Sequence, residues 1–152
     1  MPITCKFVHV NIVAKDWLRL AEFYMKVFGC KPLPPERNLF GDSIERGTGV
    51  EGAQIQGMHL RFPGAGEEGP TLEIFQYNRS RKKPEPAVNT PGFSHICFYV
   101  NDVEKARNKV LHAGGEKIGS LESVDVPNVG IITFVYVTDP EGNIIELQNR
   151  KY

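Results

Sequence analysis

Apolar and polar residues alternate along several short stretches of the chain, which is typical of strands with one buried face. These stretches are residues 6–13, 54–62, 70–77, 93–100, 117–126, 130–138 and 144–149. Apolar residues at helical spacing follow Asp16 and Asp102, and aspartate is a good N-cap. Residues 32–52 are rich in proline and glycine, so we expect an irregular connection there, with one helical turn near residues 42–46.

The order of these elements occurs twice. His95 follows His9 by 86 residues, and the same interval separates the two helix-starting aspartates. The pattern therefore predicts the order β-α-β-β-β in both halves of the chain. We expect an α+β fold in one domain, 1–152, with two modules at about 4–77 and 92–149. The polar, proline-rich segment 78–91 is predicted to link them.

Four ionisable residues occupy matching places in this repeat: His9, Glu73, His95 and Glu146. In strands of period two, all four fall on the face opposite the aliphatic residues that suit burial under helices. A lone histidine or glutamate in a strand is usually structural, but four at equivalent places favour a shared metal site. Two imidazoles and two carboxylates suit Ni, Zn, Co, Mn or Fe(II).

Such a cation can polarise a carbonyl group and stabilise an enediolate while a carboxylate, Glu146 or Glu73, moves a proton on the neighbouring carbon. A satisfied structural role is the favoured interpretation of His59, and a place in the substrate pocket is the alternative. Phe98 is the poorest candidate for packing on a substrate because it falls on the helix-facing side. The other candidate pocket residues are Asn11, Phe75, Tyr77, Cys97 and Phe134.

Composition excludes several classes of function. Lysine and arginine number 18, as do aspartate and glutamate, so no net charge draws the chain to nucleic acid or to an anionic membrane. No apolar run is long enough to span a bilayer, and the start of the chain does not resemble a signal peptide. Three cysteines without C-x-x-C spacing indicate reduced thiols, and we expect a cytoplasmic protein with a small-molecule substrate.

The chain resembles the vicinal oxygen chelate superfamily, which includes glyoxalase I, methylmalonyl-CoA epimerase, extradiol dioxygenases and bleomycin-resistance proteins. The resemblance is strongest in the stretch from Phe93 to Asp102 and in Asp139 to Leu147, and it extends over nearly the whole chain. It implies βαβββ modules that pair into a curved, barrel-like mixed sheet, with helices outside and a divalent metal inside. It also implies the ligands His9, Glu73, His95 and Glu146, and a homodimer.

The ligand set implied by the resemblance favours glyoxalase I-like proton transfer, because methylmalonyl-CoA epimerases carry glutamine where Glu73 stands. Glyoxalases similar to this chain have an arginine that contacts glutathione at the position of Val13, and an asparagine at the position of Tyr77. Three alternatives stay open: an enzyme like methylmalonyl-CoA epimerase, an Fe(II) extradiol-type dioxygenase, and a non-catalytic protein that sequesters a small molecule.

Overall fold

The computed structural model describes all residues, 1–152, as two compact units, Met1–Lys82 and Lys83–Tyr152. The boundary between the units falls inside the segment 78–91 that the sequence predicts as a linker. No helix is long and apolar enough to cross a membrane. Cys5, Cys30 and Cys97 are free thiols.

Unit 1 contains four strands and two helices in the order β-α-β-α-β-β. The sheet order is β1-β4-β3-β2, with β1 parallel to β4 and the other neighbours antiparallel. Strand β4 is therefore hydrogen-bonded on both edges, to β1 and to β3. The elements are β1 (His9–Val13), α1 (Trp17–Phe28), β2 (Lys31–Phe40), α2 (Asp42–Thr48), β3 (Gln54–Arg61) and β4 (Thr71–Tyr77).

Unit 2 repeats this sheet with one helix. Its order is β5-β8-β7-β6, with β5 parallel to β8 and the other neighbours antiparallel. The predicted α+β class and βαβββ modules are therefore confirmed. The elements are β5 (His95–Tyr99), α3 (Val103–His112), β6 (Glu122–Val126), β7 (Gly130–Thr138) and β8 (Ile144–Lys151).

The N-caps of the two long helices were predicted from their sequence. The Asp16 carboxylate accepts a hydrogen bond from the Arg19 N–H at 3.0 Å, and the Asp102 carboxylate accepts one from the Lys105 N–H at the same distance. Each bond satisfies a backbone donor that has no partner within the helix. Helix α1 ends at Gly29, whose φ of 72° is the left-handed conformation of a C-cap glycine. Both predicted helix starts are confirmed.

The prediction that residues 32–52 form an irregular connection is wrong for strand β2. The prolines at 32, 34 and 35 argued against a strand because proline cannot donate to a ladder. Strand β2 lies at the edge of its sheet, pairs only with β3, and shifts register between Leu33 and Arg37. The missing donors are tolerated at such an edge. The predicted helical turn is also longer than expected, since α2 continues to Thr48.

Each sheet buries its aliphatic face under its own long helix. In unit 1, Leu60, Leu72 and Ile74 are fully buried on the side of α1. The corresponding buried residues of unit 2, on the side of α3, are Val135, Val137, Ile145 and Leu147. The predicted division of the two faces is thus observed, and the opposite face of each sheet is left for polar side chains.

Gly57 lies in β3, where a side chain has no room. A Cβ placed there would overlap the backbone oxygen of Ile74 and lie 2.8 Å from a ring carbon of Phe75. We expect Gly57→Ala to lower the free energy of unfolding by about 1–3 kcal/mol, since β3 and β4 must separate to accommodate it. Urea denaturation measures this change.

The matched control is Gly47→Ala in helix α2, where nothing lies within 4 Å of the added carbon. Alanine is a better helix former than glycine, so this variant should gain about 0.5–1 kcal/mol. Equal stability of the two variants would contradict the close approach of β3 and β4 at Gly57.

Candidate metal centre

Glu73 lies at the centre of the open sheet face of unit 1. Its strand, β4, runs between β1 and β3, and its register partners are Asn11 on one side and His59 on the other. Directly paired residues point to the same face of a sheet, with Cβ atoms about 5 Å apart. The pairing therefore brings an amide, a carboxylate and an imidazole into one row across three strands.

The side chains in this row contact one another. The Nε2 atom of His59 lies 2.7 Å from Oε2 of Glu73, and Asn11 Nδ2 donates to Oε1 of Glu73 at 2.9 Å. His9, two residues before Asn11 on the same face of β1, places its Nε2 atom 3.5 Å from Oε1 of Glu73. The two imidazole rings meet edge to face, with centroids 5.4 Å apart. Thr71 completes the cluster, since its Oγ1 lies 2.8 Å from Nδ1 of His59.

His9, His59 and Glu73 form a possible metal site. One donor atom from each residue lies within 4.8 Å of the others. The side chains of His59 and Glu73 are 13% and 12% exposed, whereas that of His9 is 39% exposed, so the cluster opens at one end. Imidazole and carboxylate are donors that Zn, Ni, Co and Fe(II) accept, and the residues present fit such an ion.

The protonation state of His59 suits ligation. Burial lowers the pKa of His59, and Arg37 and His9 act in the same direction, against the negative charge of Glu73 and its hydrogen bond to the ring. The net effect lowers the pKa of His59, so the neutral form of the ring dominates at neutral pH. A metal binds the neutral imidazole through a free lone pair.

The sequence alone favoured a structural role for His59, whereas the structure places it beside two predicted ligands. One feature of the sequence could have indicated that His59 lies beside Glu73. His59 and Glu73 are equally distant from Gly66 in the turn between β3 and β4. A symmetric hairpin centred there pairs the two residues, and this pairing is observed.

Unit 2 holds a related but different cluster. The Nε2 atom of His95 lies 3.0 Å from Oε2 of Glu146. The register partners of Glu146 are Cys97 on β5 and Tyr136 on β7. The His95 and Tyr136 rings meet with centroids 5.1 Å apart. Tyr136 thus takes the place that His59 holds in unit 1, and sequence reasoning did not identify it.

Cys97 is a thiol, not a thiolate, at neutral pH. Burial raises the pKa of Cys97 to about 11, and the charge of Glu146 and a hydrogen bond to it act in the same direction. Burial is also the main cause that raises the pKa of Tyr136, and the negative charge of Glu146 acts in the same direction. The Cys97 thiol hydrogen-bonds Glu146, which agrees with a lining role for Cys97 and argues against a nucleophilic one.

A turn of unit 2 fixes the start of the strand that carries Glu146. Asp139 is 1% exposed, and its carboxylate accepts hydrogen bonds from the backbone N–H groups of Glu141 and Asn143 at 2.8 and 3.0 Å. The Asn143 side chain donates a third bond at 2.7 Å. These bonds hold the hairpin turn that the sequence predicted at residues 139–143, and they set the register of β8.

The aromatic candidates lie beside the two clusters. The ring of Phe75 meets that of His59 with centroids 6.5 Å apart, and Phe134 meets Tyr136 at 5.9 Å. Tyr77 follows two residues after Phe75 on the same face of β4 and is half-buried. Phe98 pairs with Leu147 on the helix-facing side, as expected. His112 lies outside both clusters, at the end of α3, and its ring nitrogen contacts the Asn108 carbonyl at 2.7 Å.

The four predicted ligands are thus observed as two pairs, His9 with Glu73 in unit 1 and His95 with Glu146 in unit 2. That all four bind one cation stays a prediction. The prediction that Asn11 and Cys97 line a substrate pocket also stays a prediction, although each hydrogen-bonds the glutamate of its own unit.

Comparison with known proteins agrees with this architecture. The family model described as "Glyoxalase/Bleomycin resistance protein/Dioxygenase superfamily" matches residues 6–147. A glyoxalase family protein from Bacillus cereus is 17% identical with a TM-score of 0.73, and the match covers 100% of this chain and 97% of the other.

Two further structures are similar. One is a glyoxalase/bleomycin resistance protein/dioxygenase family enzyme from Burkholderia phytofirmans, with 15% identity, a TM-score of 0.62, and coverage of 94% of this chain and 97% of that one. The other is an integron cassette protein from V. cholerae, with 21% identity, a TM-score of 0.57, and 99% coverage of both chains. No curated protein matches the chain. On the extent of the family match, the chain belongs to the glyoxalase/bleomycin resistance protein/dioxygenase superfamily.

Proposed function

We propose that the chain is a divalent-metal-dependent isomerase or lyase of the glyoxalase I type, which transfers a proton at a carbon next to a carbonyl. The observation that supports this most is the pairing of a carboxylate with an imidazole on the open face of each sheet. Glu73 contacts His9 and His59, and Glu146 contacts His95. A positioned carboxylate can act as a general base, and imidazole and carboxylate groups are common metal ligands.

The ligands that the resemblance to the family implies are His9, Glu73, His95 and Glu146, and two of them, His9 and Glu73, belong to the three-residue cluster of unit 1. When bound, a divalent cation draws electron density from the substrate carbonyl and so makes the neighbouring C–H more acidic. Ni, Zn, Co, Mn and Fe all accept these donors.

The glutamates are the proposed proton carriers. An oxygen of Glu146 or Glu73 takes the proton from the α-carbon and returns it to the neighbouring carbon or to the opposite face. Asn11 donates to Oε1 of Glu73, and the thiol of Cys97 hydrogen-bonds Glu146, so each carboxylate is held in place by a neighbour on the adjacent strand. This positioning lowers the cost of bringing the base to the substrate.

We propose a small molecule with a carbonyl as substrate, and a homodimer that works in the cytoplasm. The chain lacks the arginine that contacts glutathione in similar glyoxalases, because Val13 stands at that place on β1. An acyl-CoA is the alternative substrate class, as in methylmalonyl-CoA epimerase, although Glu73 replaces the glutamine of those enzymes.

Solvent deuterium exchange tests the proposal. The Ni- or Zn-loaded protein is incubated in D₂O with the hemithioacetal of methylglyoxal and glutathione, or with methylmalonyl-CoA, and the α-carbon is followed by NMR. We expect metal-dependent deuterium incorporation that is lost after treatment with EDTA. Absence of exchange with both substrates would contradict the proposal, and tight ligand binding that survives the chelator would indicate a sequestering protein.

An Fe(II) dioxygenase is the second candidate function. Two imidazoles and one carboxylate in unit 1 are the donor set of non-haem Fe(II) oxygenases, which keep open positions for substrate and O₂. Oxygen consumption with catechols that requires Fe(II), and does not occur with Ni or Zn, would favour this candidate over proton transfer.

A further inference from the structure

We infer that His59 is a metal ligand, and that unit 1 by itself binds one divalent cation through His9, His59 and Glu73. This site differs from the four-ligand set implied by the family, because it adds a ligand from β3 and needs no residue of unit 2. The inference rests on the proposed metal dependence but not on the proposed proton transfer.

The arrangement of strands supplies the three ligands. Strand β4 carries Glu73 between β1 and β3, which carry His9 and His59. Adjacent strands lie about 4.8 Å apart, so side chains from three neighbouring strands can meet at one point above the middle strand. The Nε2 atoms of the two histidines lie 3.5 and 2.7 Å from different oxygens of Glu73, and all three donors lie within 4.8 Å.

The hydrogen bonds on the far side of the cluster orient the ligands. Nδ1 of His59 contacts Oγ1 of Thr71 at 2.8 Å, which leaves Nε2 as the ring atom that faces Glu73. Histidines that bind metals usually donate their second ring N–H to a carboxylate, a carbonyl or water, which fixes the ring and its tautomer, and the Thr71 oxygen can accept that bond here. Asn11 donates to Oε1 of Glu73 at 2.9 Å and leaves Oε2 to the side of His59.

Unit 2 shows what the same face looks like without a second imidazole. Tyr136 pairs with Glu146 where His59 pairs with Glu73, so unit 2 has a phenol where unit 1 has an imidazole. A phenol must lose its proton to become a strong metal ligand, whereas a neutral imidazole offers a lone pair directly. The two units therefore differ at this position, and only unit 1 has two imidazoles on the carboxylate.

Cobalt binding to the chain of residues 1–152 tests the inference. Co²⁺ is added to the EDTA-treated protein, and bound metal is measured by equilibrium dialysis and by visible d–d absorption. We expect one Co²⁺ per chain, and an affinity more than about 100-fold lower in His59→Gln, which exceeds the effect of losing an outer hydrogen-bond partner. The matched control is His112→Gln, the same change on α3, which should leave the affinity unchanged.

His95→Gln and Glu146→Gln separate the one-unit site from the four-ligand site. The one-unit site predicts that both variants bind Co²⁺ with an affinity within about tenfold of the unaltered chain, since neither removes a ligand. Loss of binding in these two variants together with normal binding in His59→Gln would overturn the inference and support the four-ligand set. Failure of the unaltered chain to bind Co²⁺ would overturn both the inference and the proposed metal dependence.

A second variant keeps the test decisive if His59→Gln loses binding because it folds poorly. His59→Cys replaces one ligand with another, and a thiolate on Co²⁺ gives a near-ultraviolet charge-transfer band that imidazole does not give. We expect this band to appear in His59→Cys and to be missing from the unaltered chain. A stably folded His59→Cys that binds Co²⁺ without the band would place the ion elsewhere. If His59→Gln loses cobalt binding but stays active in the deuterium assay, the cation bound in unit 1 is not required for proton transfer.

Discussion

Glu73→Gln is expected to lower kcat/KM for α-carbon exchange by about 10²–10⁴-fold, the usual contribution of a positioned acid or base. The substitution keeps the size of the side chain but removes the negative charge that binds a cation and the lone pairs that accept a proton. Asn11 and His59 both contact the carboxylate, so the amide must also place a donor against one of them. Steady-state kinetics and metal content of the same preparation measure the two effects.

The control for this prediction is Glu67→Gln, which makes the same chemical change at an exposed residue in the turn between β3 and β4. It should leave kcat/KM within about twofold of the unaltered chain, a change of less than about 0.5 kcal/mol in transition-state energy. If Glu73→Gln and Glu67→Gln behave alike, the carboxylate at the centre of the open face takes no part in the reaction.

Ile145→Ala is expected to lower the free energy of unfolding by about 2–5 kcal/mol. Ile145 is fully buried in β8, and the side chain points to the core that α3 covers. Truncation leaves a cavity whose walls cannot fully collapse. Glu146 is the next residue on the strand, so a shift of the β8 backbone toward the cavity should also weaken the contact between Glu146 and His95.

Ile131→Ala is the matched control for the core variant, since it removes the same atoms from a strand of the same unit. Ile131 is 49% exposed, and its truncation should cost less than about 1 kcal/mol. Thermal or urea denaturation compares the two variants. A similar loss in both would mean that the aliphatic face of this sheet is not the core of unit 2.

The repeated pattern made most of the fold predictable. Period-two alternation does not depend on tertiary context, so the faces that carry Glu73 and Glu146 could be assigned from sequence and are observed opposite the helices. Asp16 and Asp102 were predicted as helix caps because capping is a local interaction, and both bonds are present. Features that depend on local chemistry can therefore be predicted from the sequence alone.

Features that depend on pairing between strands were harder to predict. Strand β2 was not predicted because it contains three prolines. The free-energy cost of a proline in a strand depends on whether the strand lies at a sheet edge, and only the order of the strands in the sheet shows this. His59 and Tyr136 were not recognised as neighbours of the glutamates, because cross-strand contacts follow from hairpin register. Periodicity gives the face of a residue but not its partner on the next strand.

Unit 1 is expected to bind a divalent cation on its open sheet face. Anomalous diffraction from crystals of the chain grown with Co²⁺ tests this expectation most directly. We predict a single strong anomalous peak in unit 1, at about 2.0–2.2 Å from Nε2 of His9, Nε2 of His59 and an oxygen of Glu73. A crystal that shows full Co²⁺ occupancy elsewhere, with His59 still hydrogen-bonded to Glu73 and no peak between them, would contradict it.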